Sequence, residues 1–127
     1  MAPETKTFKI VREEEYEDPI YLKLDLHDKD TRTAFLDIYM YLNDRKSFVI
    51  RFYTVNVIDN PIPKAIYCFI QDTTKSAMNF IEVNYKKITG KELDKDRHKR
   101  ISNTISYVLS KVSDIVKRNG ELKELDI

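Results

Sequence analysis

The chain has 127 residues, 42% of them hydrophobic and 34% charged, which is enough apolar material for one core under a heavily solvated surface. That balance excludes a disordered polar tail, a collagen-like chain and a membrane-spanning protein. Lys and Arg number 22 against 21 Asp and Glu, so the formal charge of +1 announces no bulk electrostatic partner; the lone Cys68 excludes a disulfide framework or a thiolate zinc site within one chain, and glycines at 90 and 120 alone exclude a glycine-rich phosphate loop.

The expected organisation is a single domain over residues 1–127, frayed at 1–5 and 121–127. Met1-Ala2-Pro3-Glu4-Thr5-Lys6 is followed by no apolar stretch of signal-peptide length, and a single cysteine suits a reducing compartment. The expected setting is therefore cytoplasmic or otherwise intracellular, without membrane contact. Residues 1–62 hold 9 basic and 12 acidic side chains, whereas 63–127 hold 13 basic and 9 acidic. The sharpest clusters are Glu13-Glu14-Glu15-Tyr16-Glu17-Asp18 and Arg97-His98-Lys99-Arg100. Solvated surface is the ordinary use of such clusters, and head-to-tail contact between copies is the alternative.

Alternation with period two dominates residues 7–71. A first strand over 7–12 places Phe8 and Ile10 on one face. In residues 20–26 the even positions are Ile20, Leu22, Leu24 and Leu26, and the odd ones Tyr21, Lys23 and Asp25, the pattern of a half-buried strand. Residues 33–42 fit two readings. As a helix, Phe35, Ile38, Tyr39 and Leu42 form a stripe, but Leu36, Met40 and Tyr41 then point elsewhere, and a helix apolar all round needs a deeper core than this chain supplies. As a strand, Leu36, Ile38, Met40 and Leu42 share a face, and Tyr, Ile and Phe favour the pleated state. The strand is the reading adopted; the helix would give a ββαββαα order. Asn43-Asp44-Arg45-Lys46 then turns the chain into a strand that continues to about residue 57, where Pro61 and Pro63 forbid a continuous ladder. A fifth strand over 65–71 completes the expected meander, with Cys68 as a buried small hydrophobe in a central strand.

From Thr73 the period becomes 3.6. A helix over about 74–89 carries Ala77, Met78, Ile81, Tyr85 and Ile88 on one side, with Asp72 or Thr73 as cap and Gly90 as a left-handed stop. A second over about 95–118, capped by Asp94, carries Ile101, Ile105, Val108, Leu109, Val112, Ile115 and Val116, and ends in Lys117-Arg118-Asn119-Gly120. The fold class expected is therefore α+β: an antiparallel sheet of about five strands over residues 6–71, backed by two C-terminal helices.

With the aliphatic face covered by helices, the other face carries Tyr21, Lys23, Phe35, Tyr39, Tyr41, Arg51, Tyr53, Tyr67 and Phe69, while Val49 and Val55 also point outward. An uncovered aromatic patch points to a partner, and Tyr and Arg are enriched in interface hot spots. The leading expectation is a non-enzymatic binding module that meets a protein partner or a second copy of itself through Tyr21, Lys23, Tyr39, Tyr41, Arg51, Tyr53, Tyr67 and Phe69. The alternative is single-stranded nucleic acid stacked on the same rings. Lys23 and Arg51 are balanced there by Asp25 and Asp37, which counts against that alternative. A basic stripe of Arg100, Tyr107, Lys111 and Arg118 on the last helix is a weaker candidate surface, diluted by Asp114.

No catalytic constellation is legible. His27 follows Asp25 on one strand face, with Asp28 and Asp30 in the turn, but a single His with carboxylates is a weak metal signal against an ordinary polar strand end. His98 stands among cations, and the carboxylates of 13–18 lie on a loop that fixes no acid–base geometry. The sequence implies no enzyme, no cofactor and no metal site.

Overall fold

The alternating segments form four strands, β1 Thr5–Arg12, β2 Tyr21–Asp28, β3 Ala34–Leu42 and β4 Arg45–Tyr53. They lie side by side in chain order, each antiparallel to the next. Among the described residues two helices follow, α1 Pro63–Thr89 and α2 Lys95–Lys117, giving the expected α+β class. This computed structural model describes residues 5–28, 34–53 and 63–117. The strand reading of 34–42 holds, because both of its faces are used. Leu36, Ile38, Met40 and Leu42 are buried beneath the helices, and Tyr39 and Tyr41 are half-buried on the opposite side.

The expected fifth strand is not formed: residues 65–71 lie inside α1, which begins at Pro63 rather than near residue 74. Two physical reasons account for this. A short apolar run without polar alternation cannot be assigned to strand or helix by periodicity. Proline also suits the first helical turn, where its missing N–H leaves no bond unmade. The buried stripe is helical throughout, passing through Thr73, Thr74, Ala77, Met78, Ile81 and Tyr85, with Ile70 packed against it. Thr73 is therefore part of the packed stripe and not a cap. Thr74 and Ser106 bring their hydroxyl oxygens within 3.1 Å between the two helices. Cys68 is exposed on α1 and not buried in a strand.

Both helix junctions follow the expected signals. Gly90 takes φ +74° and donates its N–H to the Lys86 carbonyl at 2.8 Å. The Asp94 carboxylate accepts the Asp96 N–H at 3.2 Å, capping α2. Helix α1 packs against β3 and β4, and α2 against β1 and α1. Between them lie Leu22, Leu24, Leu36, Ile38, Met40 and Leu42 from the sheet and Ile81, Ile101, Ile105 and Val108 from the helices. Each fully buried aliphatic side chain contributes about 1.5–3 kcal/mol. Leu26, Phe52 and Ile66, also expected in the core, have side chains outside the described residues, as do Val112, Ile115 and Val116.

Both edge strands carry a bulge. In β1 the ladder steps from Lys9↔Lys23 to Val11↔Leu22, and Ile10 is the extra residue. In β4 it steps from Ile38↔Ile50 to Tyr39↔Phe48, and Val49 is extra. Val49 is consequently 8% exposed and part of the core, contrary to the outward position that strict alternation gives it. Phe48 stands on the opposite face. The β3–β4 connection is a two-residue hairpin turn, with Asn43 at φ 50° and Asp44 at φ 61°, residue types that tolerate left-handed backbone.

The two charge clusters meet inside the molecule. Arg97, 3% exposed, donates from Nη1 to Asp18 Oδ1 at 3.2 Å and from Nε to Glu13 Oε2 at 3.1 Å. Glu13 is itself 1% exposed. Arg97 also donates to the Asp18 carbonyl and to the Tyr85 hydroxyl, and its guanidinium lies 4.1 Å from the Tyr16 ring centroid. Arg100 donates to Glu15 at 2.9 Å and to the Tyr16 hydroxyl at 2.6 Å. The acidic loop is thereby fastened to α2, and these charges are satisfied within one chain.

Candidate functional site

The face of the sheet turned away from the helices is built in rows that cross the strands. At the end nearest the β3–β4 turn, Arg12 is opposite Tyr21, Tyr21 opposite Tyr41 and Tyr41 opposite Lys46. The next row is Lys9, Lys23, Tyr39 and Phe48. These eight positions hold four cations, four aromatic residues and no carboxylate. The third row is Thr7, Asp25, Asp37 and Arg51, and the fourth pairs Thr5, His27, Phe35 and Tyr53.

In the first two rows each lysine rests on a tyrosine. Lys9 Nζ is 4.0 Å from the Tyr21 ring centroid, Lys23 Nζ 4.6 Å from Tyr41, and Lys46 Nζ 4.3 Å from Tyr39. Such contacts are worth about 0.5–1 kcal/mol at exposed sites. Phe48, 45% exposed, meets Tyr39 edge-on at 5.5 Å. Lys9 and Lys23 stand directly opposite each other in the ladder, an arrangement that destabilises a sheet. Among the described residues neither forms an ion pair with a carboxylate.

In the third row the carboxylates are held by neighbours on the same face. Asp37, fully buried although it lies on this face, accepts two bonds from Arg51, at 2.6 and 2.9 Å, and one from the Tyr39 hydroxyl at 3.3 Å. His27 Nε2 is 3.3 Å from the same carboxylate. Burial pushes the Asp37 carboxyl up, but the hydrogen bond and charge of Arg51 outweigh it and hold the group below its ordinary range. Burial, and then the Asp37 charge, raise the Tyr39 hydroxyl. Phe35 stacks on His27 at 4.6 Å and lies 4.4 Å from the Arg51 guanidinium. Asp25 accepts the Thr7 hydroxyl at 2.6 Å.

Of the residues expected on this face, Tyr21, Lys23, Tyr39, Tyr41 and Arg51 are brought together. Tyr53 pairs with Phe35 in the ladder. Tyr67 and Phe69 are not on the sheet, because their segment is helical. The sequence reading missed Lys9, Arg12, Lys46 and Phe48. Lys9 was recoverable from alternation with Phe8, but Lys46 and Phe48 depend on the bulge and on a turn shorter than expected. On α2, Arg100 is engaged by Glu15 and Tyr16, while Tyr107 is 47% exposed with Lys111 Nζ 5.4 Å from its ring. Arg118 lies outside the described residues.

His98 Nε2 is 2.9 Å from Glu82. Of the notional cation site at Asp25, His27, Asp28 and Asp30, His27 Nε2 lies 3.3 Å from Asp37; the Asp28 side chain and all of Asp30 lie outside the described residues. Among the described residues no three His, Cys, Asp or Glu side chains converge as metal ligands, and no helix is long and apolar enough to cross a membrane. The chain matches no protein-family model, no curated protein and no solved structure.

Proposed function

We propose that this protein is a non-enzymatic binding module that takes single-stranded nucleic acid on the open face of its sheet. The observation carrying this reading is the composition of the two rows beside the β3–β4 turn, where Lys9, Arg12, Lys23 and Lys46 interleave with Tyr21, Tyr39, Tyr41 and Phe48 and no carboxylate intervenes. A sequence count that sees only Lys23 and Arg51 against Asp25 and Asp37 makes the face neutral. The register adds three cations and withdraws Asp37 into a pair with Arg51. An anionic chain of flat bases suits both components: phosphates answer the lysines, and each stacked base contributes about 1–3 kcal/mol.

Association with a protein is the second reading, favoured by the exposed Phe48 and the enrichment of Tyr and Arg at hot spots. Its partner would be acidic. Two copies meeting through this face would set lysines against lysines, so a homo-oligomer is the least favoured form.

The test is fluorescence anisotropy with twelve-nucleotide oligothymidylate and oligouridylate across a salt series. Binding that weakens steeply with salt and drops on Tyr39→Ala, with the melting transition retained, is the expected result. Absence of binding by the native chain to both probes at low salt overturns the reading in favour of a protein partner.

A further inference from the structure

We infer that the three lysine–tyrosine pairs form a three-nucleotide register, closed on one side by the Asp25–Asp37 row; this rests on the nucleic-acid reading above. Each pair supplies the two contacts one nucleotide needs. Tyr21, Tyr41 and Tyr39 offer ring faces for bases, and Lys9, Lys23 and Lys46, at 4.0, 4.6 and 4.3 Å from those rings, have ammonium groups within a side-chain swing of the attached phosphates. The ammonium groups occupy the ring faces in the free protein. A base that stacks on a ring displaces its lysine, and the displaced lysine meets the phosphate of the incoming nucleotide.

Spacing agrees with this count. Tyr21 and Tyr41 are cross-strand neighbours, and Tyr39 lies two residues along β3 from Tyr41. The three backbone positions are therefore about 5 Å apart across the ladder, about 7 Å apart along β3 and about 7–8 Å apart on the diagonal from Tyr21 to Tyr39, separations that unstacked bases of an extended strand can follow. Lys9 opposite Lys23 is the part of this row that folding alone does not explain, and an anion resolves their repulsion. The next row turns the strand away. The half-buried Asp25 carboxylate there repels phosphate, while Arg51 and the buried Asp37 neutralise each other at 2.6 Å. Beyond them, Phe35 is already stacked on His27.

The experiment is the salt dependence of oligothymidylate binding by the native chain and by single variants. Three phosphate contacts give a slope of about −2 in log affinity against log salt, and each of Lys9→Ala, Lys23→Ala and Lys46→Ala removes about 0.7 of it. Tyr21→Ala and Tyr41→Ala each weaken binding by about 5- to 150-fold, whereas the phenylalanine variants, which keep the ring, bind nearly as the native chain does. Phe35→Leu, in the fourth row, and Lys75→Ala, exposed on α1, leave affinity and slope unchanged. A slope near −4 or steeper, or a loss with Phe35→Leu equal to that with Tyr41→Ala, overturns the three-nucleotide register while leaving nucleic-acid binding in place. No binding by the native chain removes both.

Discussion

Arg97 joins parts of the chain 84 residues apart. Its guanidinium is enclosed by Glu13, Asp18, Tyr85 and the ring of Tyr16. A buried ion pair adds little net stability compared with a hydrophobic replacement, but removing one member strands the other. Arg97→Met should therefore cost about 3–5 kcal/mol, read from the urea midpoint, because Glu13 is left buried and uncompensated. Adding Glu13→Leu should recover most of that loss; a double variant no more stable than the single one would refute the account. Asp18 supplies a pH prediction. Burial raises its carboxyl, but the Tyr85 hydrogen bond and the Arg97 charge more than offset this and lower it below the ordinary value. The unfolded chain, with Asp near 3.9, thus takes up the proton first as pH falls. The stability from Asp18 is present above about pH 4 and is lost as pH falls through the depressed folded value. Asp18→Asn should lower stability at neutral pH and make acid unfolding shallower, as followed by thermal melts across pH. Both charge clusters are plain in the sequence. Their meeting is not, because periodicity reports neighbours along an element and is silent on partners 84 positions away.

At the scale of elements, the bulge at Val49 decides what the open face contains. Alternation read without interruption from Ile50 sends Phe48 inward, whereas Phe48 is 45% exposed and Val49 is buried. The extra residue lies between two correctly facing segments, which gives an asymmetric prediction. Deleting Val49 restores simple alternation and keeps Lys46 and Phe48 outward, so that variant should fold, with a loss of about 1.5–3 kcal/mol from missing apolar burial, and retain oligonucleotide binding. Deleting Ser47 instead drives Lys46 toward the buried face beside Met40. That variant should unfold or lose binding, and circular dichroism with anisotropy distinguishes the outcomes. The long strands β2 and β3 were legible because Leu22, Leu24, Leu36, Ile38 and Met40 alternate without a defect. The start of α1 was not, because residues 65–71 are apolar at nearly every position and carry neither period.

For the whole molecule, part of the charge asymmetry between the halves of the chain is met by ion pairs between the loop after β1 and α2. The expected solution state of the native chain alone is a monomer by light scattering on a sizing column. A dimer that persists in strong salt and dissociates on Phe48→Ser would restore self-association through the open face as the leading function.

The same Arg97 lock has a consequence for synthesis. A chain made from its N-terminus delivers β1–β4 before α1 and α2, so the sheet emerges with Leu22, Leu36, Ile38 and Met40 facing water on the side α1 and α2 later cover. Translation at ~5–20 residues per second leaves that face open for roughly 3–10 seconds while residues 63–117 are added. Glu13 waits in solvent throughout, and its partner arrives only with α2. For those seconds the nascent sheet presents an aliphatic surface to whatever surrounds the ribosome, and a chaperone that recognises such a surface has its opportunity there.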